Sequence, residues 1–449
     1  MQKIRSFFSA IIIVFLLISH SASFAQAQTI DGHPAWIMQG NIYEVNVRQY
    51  TPEGTFVAFA KSLPRLKAMG VQTLWFMPIN PISKTDRKGS LGSYYAVADY
   101  EAVNPEYGTM DDWKNLVAQC HTIGFKVIID WVPNHTGADN YWLVKHPDFF
   151  VKDSTGKAIM AADWADTRKL NYANPEMEDS MIAAMKFWID KTNIDGFRCD
   201  VATGPPASFW QKCIPVLKSD KNIFMLGEGD DAILPKSGFD ADYTWSEFTM
   251  MKLVAKGERP AFAIDSAIAK LDSAYPKNAL KMYFTSDHDE NTWNGADYET
   301  MPGASHAPFA VLTQTIGRTV PLIYSGQEEP FLRAIRFFDK DTITFKNYAR
   351  ASFYKTLLTL RKQNPALAAY AAFIKLKTSN DAAIYAFERN NAGRKVLVLL
   401  NLSNTAQSFH INDHVIEGAP QNVFSNKTEM LKNNQDFHLA AWGYLVYSY

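Results

Sequence analysis

Short apolar runs rich in β-branched and aromatic residues alternate with longer amphipathic segments through most of the chain. The runs are Ile42–Val47, Val71–Met77, Val127–Trp131, Phe197–Val201, Phe224–Leu226, Tyr243–Trp245, Met282–Phe284 and Leu322–Tyr324. Each has the length and composition of a buried strand. Between them, Phe56–Met69, Met110–Ile123, Pro175–Thr192 and Arg259–Ala274 carry apolar residues at helical spacing. Strand and helix alternating eight times over roughly 300 residues predict a parallel (β/α)₈ barrel, a TIM barrel of α/β class. The connection after the third strand, residues 135–174, is polar, aperiodic and too long for a simple loop, which predicts a small inserted subdomain. After Asn364-Pro365 the pattern becomes alternating strands, among them Ala382–Arg389, Lys395–Leu402 and Trp442–Tyr449. The expected organisation is a barrel over 28–365 and a C-terminal antiparallel β-sandwich over 366–449.

The N-terminus reads as a sorting signal. Lys3 and Arg5 precede the apolar run Phe7–Ile18, and Ala25-Gln26-Ala27 supplies small residues for cleavage. A signal peptide over 1–27 predicts a secreted or periplasmic protein. The apolar run is too short to span a bilayer, and no Cys precedes Cys120 to carry a lipid, so no membrane partner is expected for the mature chain. Lys+Arg of 45 against Asp+Glu of 46 argues against nucleic acid or an anionic surface and favours a neutral ligand. Cys120, Cys199 and Cys213 lie in apolar surroundings without metal-ligand spacing, so buried free thiols are expected. The 11 Trp and 20 Tyr offer flat faces for sugar rings, although core packing alone accounts for most aromatics.

In a barrel of this kind, chemistry is assembled at the C-terminal ends of the strands. Here the third strand ends Asp130-Trp-Val-Pro-Asn134-His135, the fourth carries Arg198-Cys199-Asp200, the fifth ends Gly227-Glu228, and the seventh ends Asp287-His288-Asp289. A single acidic residue at a strand end is usually a helix cap or an ion-pair partner. Four ends supplying carboxylates together are harder to explain that way. Glu is a poor cap, and Asp200 lies in an apolar run where burial is costly. Arg198, two residues before Asp200, points to the same face and would favour an ionised Asp200. Glu228 has no adjacent cation in the sequence and is expected to keep its proton.

These segments resemble the α-amylase family, family 13 of the glycoside hydrolases, from about Trp36 to the C-terminus. The ordered motifs are DWVPNH (Asp130–His135), DGFRCDVA (Asp195–Ala202), LGEGD (Leu226–Asp230) and FTSDHDE (Phe284–Glu290), with GSYYAVADY (Gly92–Tyr100) and PLIYSGQE (Pro321–Glu328) around them. The resemblance implies a retaining glycosidase acting on starch-like α-glucans or malto-oligosaccharides. It assigns Asp200 as nucleophile, Glu228 as general acid and then base, and Asp289 as the third carboxylate. Tyr95, His135, Arg198 and His288 would contact substrate, with Asp130 in support. No cofactor is needed for that chemistry, which uses two carboxyl groups about 5 Å apart.

The match departs from the family pattern in three places. Thr203-Gly204 stands where family members usually carry Lys-His, and Asp287 replaces the usual Asn before His288. Asn134 matches a common calcium ligand, but Lys169 in RKLN stands where many members place a second, acidic ligand. Since calcium prefers several anionic oxygens, the balance falls against a structural calcium there. A transglycosylase or isomerase acting on α-glucosides remains an alternative. A non-catalytic sugar-binding relative is disfavoured by the three intact carboxylates.

Overall fold

Eight parallel strands, Ile42–Val45, Thr73–Phe76, Lys126–Trp131, Gly196–Cys199, Phe224–Gly227, Ala241–Tyr243, Leu280–Met282 and Leu322–Tyr324, form one sheet in the computed structural model, which describes residues 29–294, 305–412 and 414–449. The signal peptide assigned to 1–27 lies outside the described residues. Strands adjacent in sequence are adjacent in the sheet, and the first pairs with the eighth. A parallel bridge between Lys281 and Thr319, with the Val320 N–H donating to the Lys281 carbonyl at 2.8 Å, closes the remaining seam. The result is a TIM barrel, whose closure leaves no exposed sheet edge.

The sixth strand is Ala241–Tyr243, two residues earlier than expected. Trp245 instead begins the helix Trp245–Ala255. Asp242 interrupts the apolar pattern there, and its charge is met by Lys281 of the seventh strand at 3.0 Å. The helices Met110–Ile123 and Pro175–Thr192 occupy the expected spans. Thr109 and Asp112 cap the first reciprocally, and Asn174 caps the second. The stretch from Phe56 to Met69 is two helices, Phe56–Ala60 and Leu63–Met69. Pro64 lacks an N–H and fits only in the first turn of the second. Arg259–Ala274 narrows to Ala263–Asp272.

Within 135–174, His135–Gly137 pairs antiparallel with Thr167–Lys169, and short helical turns at Trp142–Lys145 and Pro147–Phe149 lie between them. The C-terminal region is a six-stranded antiparallel sheet with a second two-stranded sheet, Gln407–Phe409 with Phe437–Leu439. Leu376, Leu397, Leu399, Phe409 and Phe437 share a core between the two sheets. Tyr385, Phe387, Val398 and Val446 share the core of barrel-side residues Phe309, Leu312 and Leu357. Arg389 strengthens this junction by donating to the carbonyls of Thr315 and Ile316 at 2.7 and 2.6 Å. The three cysteines are buried and free. No helix among the described residues is long and apolar enough to cross a membrane.

The start of the fourth strand is fixed by close approach and by charge. A Cβ on Gly196, whose φ is +152°, would lie 2.0 Å from the Phe224 carbonyl oxygen, so only glycine fits. Beside it, buried Asp195 accepts from Val127 N–H at 2.9 Å, His121 Nε2 at 2.7 Å and Lys126 Nζ at 2.9 Å, with Lys221 Nζ 3.1 Å away. Burial alone would raise the Asp195 pKa, but His121, Lys221 and Lys126 outweigh it and hold the carboxyl well below its ordinary value. Asp195→Asn is expected to cost about 3 kcal/mol of stability near neutral pH. A depressed native pKa contributes stability above the unfolded value of about 3.9, and that contribution is lost as pH falls. The urea midpoints of wild type and variant should therefore converge as pH is lowered through that range.

Candidate active site

The ends of the third, fourth and fifth strands converge on one buried guanidinium. Arg198 is fully buried; its Nη1 lies 2.9 Å from Asp130 Oδ1 and 3.0 Å from Asp200 Oδ1, while Nη2 lies 3.2 Å from Glu228 Oε2. Its Nε donates to Tyr243 Oη at 3.1 Å, and its plane sits against the rings of Trp75, Tyr95 and Tyr243. One cation thus serves three carboxylates, and although burial alone would loosen its proton, Asp130 and Glu228 lead the groups that hold it more firmly than usual. The expectation that Glu228 has no neighbouring cation is overturned. Arg198 precedes Asp200 in the chain, but its forked head is long enough to serve the fifth strand as well.

Burial pushes the Asp200 carboxyl well above the usual carboxylate range; the charge of Glu228 adds to this, and Arg198 opposes it without prevailing. The cation therefore does not by itself produce the ionised Asp200 expected from sequence.

Val201 links the same two elements through the backbone. Its φ is +41°, a left-handed conformation that a β-branched residue rarely adopts, and its N–H donates to Glu228 Oε2 at 2.7 Å.

A second group lies at the end of the seventh strand. His288 joins Glu44 Oε1 through Nδ1 at 2.6 Å, Tyr95 Oη through Nε2 at 2.7 Å and Asp289 Oδ2 at 3.5 Å. Burial would lower its pKa, but Asp289 and Glu44 raise it well above the ordinary value, so the ring carries a proton. Tyr95 also donates to Asp130 Oδ2 at 3.0 Å, tying this group to the Arg198 cluster. Asp289 Oδ1 accepts from the indole of Trp293 at 3.1 Å. Burial raises the Asp287 carboxyl well above its usual range, with Asp289 and Glu44 adding to the shift. Asp287 caps the helix His288–Trp293 by accepting from Glu290 N–H at 2.8 Å. It brings less negative charge to the site than its sequence suggests.

Tyr95, His135, Asp200, Glu228 and Asp289 all line one cleft of about 330 Å³. Arg198 and Asp130 lie beneath it and His288 beside it. His135 is kept neutral because burial pushes its pKa down to about 4. Its Nε2 is buried without a hydrogen-bond partner among the described residues, and its ring lies 5.2 Å from that of Trp164. Sequence reasoning missed Glu44, Trp75, Val201 and Tyr243. Glu44 carries the signal that exposed Asp200, a charged residue in an apolar strand; the role of Val201 is conformational and leaves no compositional trace.

The surroundings of Asn134 do not fit calcium. Its amide Nδ2 lies 3.2 Å from His135 Nδ1, and its Oδ1 is packed so closely on Gly204 that a Cβ there would come within 2.2 Å. Lys169 lies in the strand paired with His135. An amide held against an imidazole and pressed onto Gly204 is not the donor set of a hard cation.

Arg198→Met keeps the bulk and deletes the charge. Burial already raises the Asp130 and Asp200 carboxyls, and Arg198 is the cation that opposes it, so without that charge their native pKa values rise further and the loss grows as pH rises above their unfolded range of about 4. The expected cost is about 3–5 kcal/mol near neutral pH. Melting curves at acidic and neutral pH should show the variant much closer to wild type in acid.

The "Alpha amylase, catalytic domain" family model matches residues 22–164 and 149–350, and the "Alpha-amylase SusG C-terminal domain" model matches 384–446. Alpha-amylase 2 of Dictyoglomus thermophilum is 24% identical over 452 residues, covering 88% of this chain and 75% of that protein. Neopullulanase 2 of Thermoactinomyces vulgaris is 27% identical over 385 residues, covering 76% of this chain and 61% of that one. The crystal structure of a maltogenic alpha-amylase, AmyB, from Thermotoga neapolitana superposes with a TM-score of 0.84 at 26% identity, covering 92% of this chain and 99% of the other.

Proposed function

The chain belongs to the α-amylase family and is a glycosidase, and from that premise we propose that it hydrolyses α-glucosidic bonds of starch-like glucans or malto-oligosaccharides with retention of configuration. The observation that carries this reading is the buried Arg198 guanidinium that bonds both Asp200 and Glu228, two carboxyl residues lining the cleft. Asp200 attacks the anomeric carbon as the glycosidic C–O bond breaks, and Glu228 gives its proton to the departing oxygen. Glu228 then takes a proton from water, which attacks the same carbon and frees Asp200. Two inversions leave the product α.

The donors Val201 N–H and Arg198 Nη2 both converge on Glu228 Oε2. We assign the transferable proton to Oε1. Arg198 meets Asp200 at Oδ1, which leaves Oδ2 as the attacking atom. Protonated His288 and the Asp289 carboxyl are suited to hydrogen-bond sugar hydroxyls, and neutral His135 offers Nε2 for the same purpose. No metal takes part in these steps. Residues 1–27 are read from the sequence as a leader, and on that reading the activity lies outside the cytoplasm.

With maltotriose and longer substrates, proton NMR of the first-formed product should show the α-anomer; first-formed β-anomer would refute retention. Asp200→Asn should lower kcat by about 10⁴-fold or more with the fold intact. Glu228→Gln should lose about 10²–10⁴-fold on malto-oligosaccharides, but much less on α-glucosyl fluoride, whose leaving group needs no proton. Equal losses on both substrates would reject Glu228 as the acid. Products larger than the input would favour transfer to sugar over transfer to water.

A further inference from the structure

One side of the cleft is closed by loops that come from three different places in the barrel. The loop after the second strand lies between the inserted segment and the loop after the eighth strand, and it is bonded to both. On one side, Asp139 accepts from the N–H groups of Lys84 and Thr85 at 2.8 and 3.0 Å, and Arg168 Nη2 donates to Asp86 at 3.2 Å. On the other, the Leu91 N–H donates to the Phe338 carbonyl at 2.9 Å, and Ser90 donates to Asp339 through both N–H and hydroxyl. Gly89, at φ +62°, lies so close to Phe338 that a Cβ would meet the Phe338 Cβ at 2.5 Å. The loop is therefore held against its neighbours by backbone contact as well as by side chains.

At the centre of this wall, Lys88 Nζ lies 3.3 Å from Asp166 Oδ1, and both residues line the cleft. Asp166 is 2% exposed, and its Oδ2 is buried without a hydrogen-bond partner among the described residues. A carboxylate held this way by a single lysine has an unused acceptor, which is costly unless a ligand supplies a donor. The wall also has a definite position relative to the chemistry. Trp164, two residues before Asp166, lies against His135, and Phe337 stacks on Tyr95 at 6.2 Å. In the reading proposed above, His135 and Tyr95 contact the sugar whose bond is broken, and because the wall adjoins both residues we assign it to that sugar's side of the cleft, away from the leaving group.

We infer that Lys88 and Asp166 form a binding site for hydroxyl groups of the non-reducing terminal glucose, so that the enzyme cuts a short fixed distance from a chain end. Asp166 Oδ2 accepts from one hydroxyl while Lys88 donates to a neighbouring one. A chain continuing beyond this sugar would have to pass through the ion pair and the backbone contact at Gly89. This inference rests on the α-glucan reading above.

The test uses the full mature chain with p-nitrophenyl α-maltoheptaoside, either free or blocked by a 4,6-O-ethylidene group on its terminal glucose. Wild type should cleave the free substrate with a kcat/KM about tenfold or more above that of the blocked one, as expected when a charged hydrogen-bonding site loses its partner hydroxyls. Lys88→Ala and Asp166→Ala should bring this ratio toward one and lengthen the products released from maltoheptaose. Lys88→Met keeps the wall's bulk and provides the same readout if Asp166→Ala does not fold. Equal cleavage of free and blocked substrates by wild type overturns the inference while leaving the α-glucan reading intact. No cleavage of either substrate, of starch or of maltotriose by wild type rejects the α-glucan reading and the inference together.

Discussion

A single buried cation holds the active site together. Arg198 has no exposure to solvent, and its charge is balanced by Asp130, Asp200 and Glu228 from three consecutive barrel strands. Burying a charge of this kind is expensive and is tolerable only where geometry supplies partners that compensate it. The barrel supplies that geometry because parallel strands in register bring Asp130 beside Arg198 and Arg198 beside Leu226, one residue below the turn into Glu228. The rings of Trp75, Tyr95 and Tyr243 exclude water from the guanidinium. This raises the strength of every interaction it makes.

The second group, centred on His288, depends on the first through Tyr95. That hydroxyl lies between Asp130 and the His288 ring, so the two clusters form one hydrogen-bonded network across the barrel mouth. Charge is distributed unevenly along it. His288 is cationic, His135 is neutral, and burial holds Asp287 toward its protonated form. The cleft therefore offers donors and acceptors of differing strength to a neutral, hydroxyl-rich ligand.

Much of this was legible in the sequence because the barrel repeats a simple pattern. The apolar runs marked the strands, and the polar residues at their ends marked the cleft. The sixth strand was displaced because Asp242 breaks the apolar run and is matched by Lys281, a residue far away in the chain. The contact between Arg198 and Glu228 was missed for a related reason, since sequence neighbours say nothing about how far a guanidinium extends across adjacent strands. Trp164, Asp166 and Lys88 lie in aperiodic loops where position depends on tertiary contacts, and no local signal singles them out.

The left-handed backbone at Val201 has a consequence for variation in this protein. Its N–H fixes Glu228 while the preceding residue is Asp200 itself, so the relative placement of the Asp200 and Glu228 carboxyl groups is set by main-chain conformation as much as by the side chains around them. The loops above can then diverge in length and composition, changing which saccharide is admitted, while the ruler between the two carboxyl groups stays the same. Substrate range and bond-breaking chemistry are in this sense separately heritable.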